Sequence, residues 1–352
     1  RRRGKEGNMS TIIPFGVLPG GEEVSLIRLK GNGAVQAEII TLGAIIKSLW
    51  VPDRKDDRKD VVLGQDSLEA YLNNQSCSAA VIGRVANRIG GASFSIVKEK
   101  YQLEANDRGN CLHSGSGNYA AQNFQVEEIR EDRVRLSLED FGKGGFPGMV
   151  RVTVEYQIVG AALEITYTAK PSADTPINLT NHCYFNLGGH DSGMPRYHRV
   201  MICGDFYTAA DQNCLPTGEI LRTAGTALDL RELVPLGESL ERLEKSNLSF
   251  NGFDHNYVVA GRGFRLAAAA EDPESGRRME VWTDRPGVQF YTANHLDGQT
   301  ACKEGMLYNR HCAYCFETQN FPDAVHWSHF PNPIVSAGET WRSHTAFRFS
   351  IV

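Results

Sequence analysis

The sequence lacks any long hydrophobic run and any excess of basic residues. No apolar stretch approaches the ~20 residues of a transmembrane helix, and the basic residues 1–8 have no apolar segment behind them. Lys and Arg number 37 against 42 Asp and Glu, which gives a net charge of −5. Such a balance does not provide the positive surface that binds nucleic acids or anionic membranes. We expect a protein with neither partner, and one that is not secreted.

A disulfide framework and a paired metal motif are also missing. The eight cysteines are scattered through 352 residues, which suits reduced thiols in the cytoplasm rather than a disulfide scaffold. Cys312 and Cys315 form one CxxC pair after His311, but the sequence has no second pair to complete a zinc site. We therefore assign no metal and predict a cytoplasmic protein.

Helical periodicity is scarce, and its best case is the short segment 237–245, where Leu240 and Leu243 lie three apart. In most of the sequence, apolar side chains instead recur at every second residue. Apolar side chains alternate with polar ones over 150–158 and again over 163–168, which predicts an antiparallel hairpin. The same alternation predicts further strands near 24–29, 35–42, 134–138, 198–203, 264–269, 279–283, 288–292 and 345–351.

These strands indicate an all-β fold. The turns are marked by 35 glycines and 14 prolines, and no βαβ rhythm is present. Because two sheets must cover each other's apolar faces, we predict a large, twisted antiparallel β-sandwich. We also predict a single domain over residues 10–352, with residues 1–9 as a flexible tail or an expression remnant.

A histidine stands out in the segment 178–189, which reads NLTNHCYFNLGG. Alternation along a strand would place His182 mid-strand, with Thr180, Tyr184 and Asn186 on the same face. Histidine exchanges a proton near neutral pH, and the neighbouring hydroxyls and amides suit a small hydroxylated ligand. The alternative is a histidine that is merely hydrogen-bonded inside a sheet.

Polar side chains stand beside glycines or aromatic residues in several other segments. Glu317, between Phe316 and Thr318, is costly to bury in ionised form, and partial burial would raise its pKa and make it a better base. A structural ion pair with Arg88 is the alternative. The other candidates are Asn87 and Arg88 in GRVANRI, His113 before a Gly/Ser loop, Asp254 in GFDHNY and Gln289 in PGVQFYTAN.

In this order the segments resemble one family, the aldose 1-epimerases or galactose mutarotases. The resemblance covers about residues 10–350 and rests on GRVANRI, NCLHSG, NLTNHCYFNLGG, GFDHNY, PGVQFYTAN and FETQNFPDA. It implies a β-sandwich of the galactose mutarotase type. It also implies interconversion of the α and β anomers of free aldohexoses such as galactose and glucose, without a metal or other cofactor.

The resemblance assigns roles to individual residues. Glu317 matches the family's general base, which removes the anomeric proton, and His182 matches the general acid, which protonates the ring oxygen. Apart from the resemblance, Tyr184 and Phe290 are candidate apolar walls of the site, and the alternative is that these aromatic side chains belong to the core. The positions that match the family's sugar-binding residues are Asn87, Arg88, His113, Asp254 and Gln289. We expect an aldohexose as the partner, and a monomer or weak homodimer.

Three other functions stay open. A hexose-6-phosphate epimerase would need extra cations, for which Arg196, Arg199 and Arg310 are candidates. A glycoside hydrolase would need two carboxylates, Asp254 and Glu317, flanking the scissile bond with His182 remote. A non-catalytic sugar-binding module would be expected to lose Glu317 or His182, and the sequence has both.

Overall fold

The structure is a computed structural model that describes residues 12–73, 76 and 78–352. The predicted tail, residues 1–9, lies outside the described residues, and the assignment of residues 10–352 to one domain stays a prediction. In the first half of the chain the strands are β1 (Ile12–Val17), β2 (Glu23–Lys30), β3 (Gln36–Ile40), β4 (Ile45–Pro52), β5 (Arg58–Asp60), β6 (Val81–Ile82), β7 (Arg88–Ile89), β8 (Ser93–Ile96), β9 (Glu99–Gln102), β10 (Cys111–Leu112), β11 (Gln125–Ile129), β12 (Arg133–Asp140), β13 (Val150–Val159), β14 (Ala162–Pro171) and β15 (Thr175–Pro176).

The second half continues the all-β pattern. Its strands are β16 (Thr180–Asn181), β17 (Arg199–Ile202), β18 (Phe206–Ala210), β19 (Pro216–Arg222), β20 (Val234–Pro235), β21 (Asp254–Val258), β22 (Arg265–Glu271), β23 (Arg277–Thr283), β24 (Gly287–Tyr291), β25 (Asp297–Ala301), β26 (Leu307–Asn309), β27 (Cys315–Gln319), β28 (Ile334–Val335) and β29 (Trp341–Ile351). Each segment in which a period of two predicts a strand contains one in the structure.

Three sheets account for most of these strands. A nine-stranded sheet, here called the large sheet, has the order β11-β12-β13-β14-β29-β23-β22-β17-β20. A five-stranded sheet, the N-terminal sheet, runs β1-β2-β3-β4-β5, and another, the 206–319 sheet, runs β19-β18-β21-β24-β27. The strand pairs of all three are antiparallel. The predicted antiparallel β-sandwich is confirmed.

The hairpin of β13 and β14 shows how the sequence pattern becomes structure. From Val150 to Ile158 every second side chain of β13 is buried, while the side chains between them reach the solvent to different degrees. The buried side chains join a core that also takes Ile27 from the N-terminal sheet and Phe316 from the 206–319 sheet. Burying such aliphatic side chains stabilises the fold by roughly 1.5–3 kcal/mol each. The large sheet therefore supplies one wall of the core.

Helices are few and short in the described residues. Helix α1 spans Leu68–Asn73 and is not indicated by the sequence pattern, whereas α2 (Leu236–Glu244) falls within one residue of the predicted segment. Leu240 and Leu243 are buried, as their spacing indicates. In the part of the chain that the structure describes, no helix has the length and apolarity to cross a membrane.

Candidate active site

The 206–319 sheet presents one row of polar side chains, because side chains alternate along each of its strands. Gln289 on β24 lies opposite Glu317 on β27, and Asp254 on β21 lies opposite Tyr291 on β24. Alternation places Phe290 on the other face, where its ring stacks on Phe316 at 5.0 Å between centroids. The predicted wall at Phe290 is therefore wrong, and its neighbour Tyr291 contacts the site instead.

This face of the 206–319 sheet borders a cavity of about 620 Å³. Asn87, Arg88, His113, His182, Asp254 and Glu317 all line this cavity, together with the predicted wall Tyr184. Gln289 is the exception among the predicted site residues. It is buried behind Asp254 and donates a hydrogen bond from Nε2 to Asp254 Oδ1 at 2.7 Å. The structure thus gathers residues from widely separated segments at one site.

His182 does not lie in the middle of a strand. The chain leaves the sheet after β16, and the His182 backbone N–H donates to the Ala80 carbonyl at 2.9 Å. Tyr184 shares the cavity and stacks on the His182 ring at 5.0 Å. Thr180 is fully buried, and the Asn186 amide holds a loop by donating to two carbonyl oxygens. Of the three residues predicted to share a face with His182, only Tyr184 lines the cavity with it, whereas Thr180 and Asn186 do not.

His182 and Glu317 form a close pair at the floor of the cavity. His182 Nε2 lies 3.5 Å from Glu317 Oε1. Glu317 is only 2% exposed, and its Oε2 has no hydrogen-bond partner among the described residues. The Glu317 carboxylate therefore keeps a hydrogen-bonding capacity that the described residues do not use.

Burial shifts the pKa of each member of this pair towards its neutral form. It raises the pKa of Glu317 well above the ordinary 4.5, an effect that the Asp254 charge reinforces and the Arg88 charge opposes. It lowers the pKa of His182 from 6.5 to about 4. Imidazole with carboxylic acid and imidazolium with carboxylate contain the same number of protons, so the pair can exchange one proton without a change in total charge.

His113 offers a hydrogen-bond donor to the cavity. The Asn87 backbone N–H donates to His113 Nδ1 at 3.0 Å, and the His113 backbone N–H donates back to the Asn87 carbonyl at 2.9 Å. Both residues have left-handed backbones, with φ of +51° at His113 and +64° at Asn87. Because Nδ1 accepts, neutral His113 carries its proton on Nε2. Burial lowers the pKa of His113 well below 6.5, and the neighbouring His182 acts in the same direction.

The donor set argues against a metal ion at this position. One ligand atom from each of His113, His182 and Glu317 lies within 4.8 Å of the others. A metal would need a lone pair on His113 Nε2, but the Asn87 N–H engages the lone pair of Nδ1 and leaves the proton on Nε2. An N–H group suits an oxygen that accepts a hydrogen bond, such as a sugar hydroxyl or ring oxygen. The expectation of no metal stays a prediction.

Arg88 is paired with a residue that is not among the predicted candidates. Its Nε donates to Asp107 Oδ2 at 2.7 Å, so the structural ion pair between Arg88 and Glu317 is not formed. Asp107 also lines the cavity. Little in the sequence points to this contact, because Asp107 and Arg108 form an ordinary charged pair in a loop. The Asp107 carboxylate holds the guanidinium at the site while Arg88 still lowers the pKa of Glu317.

Two further residues around His182 are absent from the predicted set. The Tyr291 ring meets the His182 ring edge-on at 5.9 Å, and Cys315 Sγ lies 3.6 Å from His182 Nδ1. Both could have been found by counting in steps of two, from Gln289 to Tyr291 and from Glu317 back to Cys315. Together with Tyr184 they confine the imidazole so that Nε2 faces Glu317.

Comparison with known proteins gives a consistent result over almost the whole chain. A family model described as aldose 1-epimerase matches residues 25–348. Human galactose mutarotase is 40% identical over 344 residues, which cover 97% of this chain and 98% of the relative. An aldose 1-epimerase from Haemophilus influenzae is 31% identical over 94% of this chain and 97% of its own length.

Solved structures support the same fold. An aldose epimerase homologue from C. elegans superimposes with a TM-score of 0.85 at 23% identity, over 94% of this chain and 99% of that one. A galactose 1-epimerase from Lactobacillus acidophilus gives a TM-score of 0.83 at 22% identity, over 97% and 98% of the two chains. The fold, the match to the family model and the identity to these relatives agree with the resemblance seen in the sequence. The chain belongs to the aldose 1-epimerase family of isomerases.

Proposed function

We propose that the cavity interconverts the α and β anomers of a free aldohexose, with Glu317 as general base and His182 as general acid. The observation that carries this proposal is the 3.5 Å approach of His182 Nε2 to the buried Glu317 Oε1 at the cavity floor. A proton donor and a proton acceptor at this separation can serve the two oxygens bonded to one anomeric carbon. General acid and base groups each contribute typically 10²–10⁴-fold to a rate.

The reaction needs two proton transfers and one bond cleavage. Glu317 takes the proton of the anomeric hydroxyl while His182 gives a proton to the ring oxygen. The bond between C1 and the ring oxygen breaks, and C1 becomes an aldehyde. Rotation about C1–C2 presents the other carbonyl face, and the reverse transfers close the ring. The open form leaves His182 neutral and Glu317 protonated, the state that burial favours for both groups.

The remaining polar groups of the cavity would orient the sugar. His113 and Arg88 offer N–H donors to hydroxyls or to the ring oxygen, and Asp254 offers a carboxylate oxygen that accepts from hydroxyls. Asn87 shapes the site by holding His113 through its backbone. Gln289 does not line the cavity and would act on the sugar through Asp254, to which it donates a hydrogen bond.

The geometry favours this function over the hydrolase and over the binding module. A hydrolase would use Asp254 and Glu317 as its acid and base, with His182 remote, but His182 is in direct contact with Glu317. A module that only binds sugar has no use for a carboxylate buried with a free oxygen beside a histidine, because such burial is costly.

A phosphorylated sugar is also disfavoured. Arg196 is paired with Glu241, and Arg310 is paired with Glu244. None of the candidate cations Arg196, Arg199 and Arg310 is among the residues that line the cavity. The two arginines that do line the cavity, Arg88 and Arg108, are both held by the carboxylate of Asp107.

Polarimetry tests the proposal directly. Freshly dissolved α-galactose and α-glucose should relax faster with the wild type than spontaneously, and Glu317→Gln and His182→Asn should each reduce kcat by about 10²–10⁴-fold. Relaxation at the spontaneous rate with the wild type would contradict the activity. Variants with wild-type rates would contradict the two roles and leave the activity standing.

We further propose that galactose and glucose are both accepted and that the protein works in the cytoplasm as a monomer or weak homodimer. The seven cysteines that the structure describes are free thiols, which suits a reducing compartment. Sedimentation of the purified chain would test the oligomeric state.

A further inference from the structure

The amide groups behind Asp254 form one buried chain of hydrogen bonds across neighbouring strands. Gln319, fully buried on β27, donates from Nε2 to Gln289 Oε1 at 3.0 Å and to Asn256 Oδ1 at 3.1 Å. Gln289 donates from Nε2 to Asp254 Oδ1 at 2.7 Å, and Asn256 donates from Nδ2 to Thr208 Oγ1 at 3.3 Å. This series of contacts is here called the amide chain.

The direction of the amide chain depends on Gln319. An amide has a donor end and an acceptor end, and Gln319 Nε2 has two hydrogens. Because Gln319 donates to the Gln289 carbonyl, the NH₂ group of Gln289 must turn towards Asp254. If Gln289 were reversed, its carbonyl oxygen would face the Asp254 carboxylate, and two acceptors would repel each other. The orientation of Gln319 therefore determines that the inner oxygen of the Asp254 carboxylate faces a hydrogen-bond donor rather than an acceptor.

Asp254 connects the amide chain to the substrate. It lines the cavity, whereas Gln319 lies on the sheet behind it. One carboxylate oxygen of Asp254 is held by Gln289, which leaves the other oxygen for a sugar hydroxyl. A carboxylate held in this way needs no reorientation when the sugar binds.

We propose that Gln319 is a positioning residue for sugar binding, acting through Gln289 on the carboxylate of Asp254. The inference rests on the proposed role of Asp254 as a sugar-binding group. It gives two residues of β27 different roles. Glu317 exchanges protons with the sugar, and Gln319, two positions further on the same face, sets the hydrogen bonds of the binding site.

Steady-state polarimetry with Gln319→Glu tests the proposal. An ionised glutamate has no donor and a protonated one has a single donor, so it cannot serve both carbonyls. We expect KM to rise about tenfold or more, the loss typical of a hydrogen bond to a charged group, while kcat changes far less. Gln319→Met, which has no donor, should raise KM in the same way if Gln319→Glu fails to fold. An unchanged KM in folded variants would overturn the proposal.

A matched control lies next to Gln319 on the opposite face of β27. Thr318 Oγ1 is hydrogen-bonded to Thr345 Oγ1 at 2.6 Å, and both residues are buried. Thr318→Val should lower Tm without changing KM, because it removes a buried hydrogen bond away from the cavity. If Thr318→Val raised KM as much as Gln319→Glu, the effect would come from strand stability, and the positioning role would be wrong.

A double-mutant cycle separates this proposal from the proposed function. If Gln319 acts through Asp254, Gln319→Glu should add little to the KM of Asp254→Asn, since the group that it positions is already altered. Independent, additive increases in KM would overturn the positioning role while leaving Asp254 as a binding residue. If Asp254→Asn alone leaves KM unchanged, the sugar-binding role of Asp254 is wrong, and the positioning proposal falls with it.

Discussion

The large sheet and the 206–319 sheet are both antiparallel, but they bury their side chains differently. Along β13 of the large sheet, buried and more exposed residues alternate. Along β24 and β27 of the 206–319 sheet, every residue is buried. On β13 a polar residue indicates the solvent face. On β24 and β27 a polar residue has been removed from water on either face, as Glu317 and Thr318 show, at a cost that its partners or its function must offset.

This difference separates stability from catalysis. The inward side chains of β13 and β14 in the large sheet belong to the hydrophobic core, so changes there should affect folding and leave the reaction unchanged. Changes to polar side chains on the cavity face of the 206–319 sheet should instead affect the reaction and have little effect on folding. Substitutions in the two sheets can test this contrast.

The largest expected effect on stability is in the large sheet. Ile165 on β14 is fully buried in the core cluster. Ile165→Ala should reduce the free energy of unfolding by about 2–5 kcal/mol, because it removes buried methyl groups and leaves a cavity. Under native conditions kcat and KM should stay at the wild-type values. Urea denaturation and polarimetry on the same preparation check both statements, and a loss of kcat in the folded variant would contradict the contrast.

The second prediction uses pH. The folded-state pKa of Glu317 is raised above 4.5, so the unfolded chain ionises first as pH increases, and the wild type loses stability relative to Glu317→Gln above pH 4.5. The pKa of His182 is lowered from 6.5 to about 4, so the wild type loses stability relative to His182→Asn as pH falls through this window. Each pH unit within a window changes the difference by at most about 1.4 kcal/mol.

Glu128 on β11 of the large sheet provides the opposite case. The Arg130 side chain donates a hydrogen bond to the Glu128 carboxylate, and this contact lowers the pKa of Glu128. The wild type should therefore gain stability relative to Glu128→Gln as pH rises through the acid range, the reverse of Glu317. Thermal unfolding of the variants between about pH 3.5 and 8 would show the two slopes. Slopes of the same sign would mean that Glu317 is not held in its neutral form by burial.

The same contrast explains what can be predicted from the sequence. Alternation is enough to predict β13 and β14, because the polar side chains of Arg151 and Glu155 mark one face as the solvent side. On β24 alternation indicates two faces but not which one meets the cavity, since both are covered, and the predicted wall at Phe290 falls on the wrong side. The strand predicted around His182 ends one residue before it. The pairing of Arg88 with Asp107 depends on how strand β7 meets the loop that carries Asp107, and the sequence contains no local signal for it.

The smallest expected effects come from two neighbours on β24. Phe290 stacks on Phe316 at 5.0 Å on the core face, and Tyr291 meets His182 edge-on at 5.9 Å on the cavity face. Phe290→Leu should cost about 1 kcal/mol of stability with an unchanged rate. Tyr291→Leu should reduce kcat roughly two- to tenfold, the equivalent of one aromatic contact, because the His182 ring gains freedom to turn away from Glu317. Unfolding curves and polarimetry on the two variants would show whether adjacent residues of one strand differ in this way, one affecting stability and the other affecting the reaction rate. Equal effects of both changes on kcat would mean that the two faces of the 206–319 sheet are mechanically coupled rather than independent.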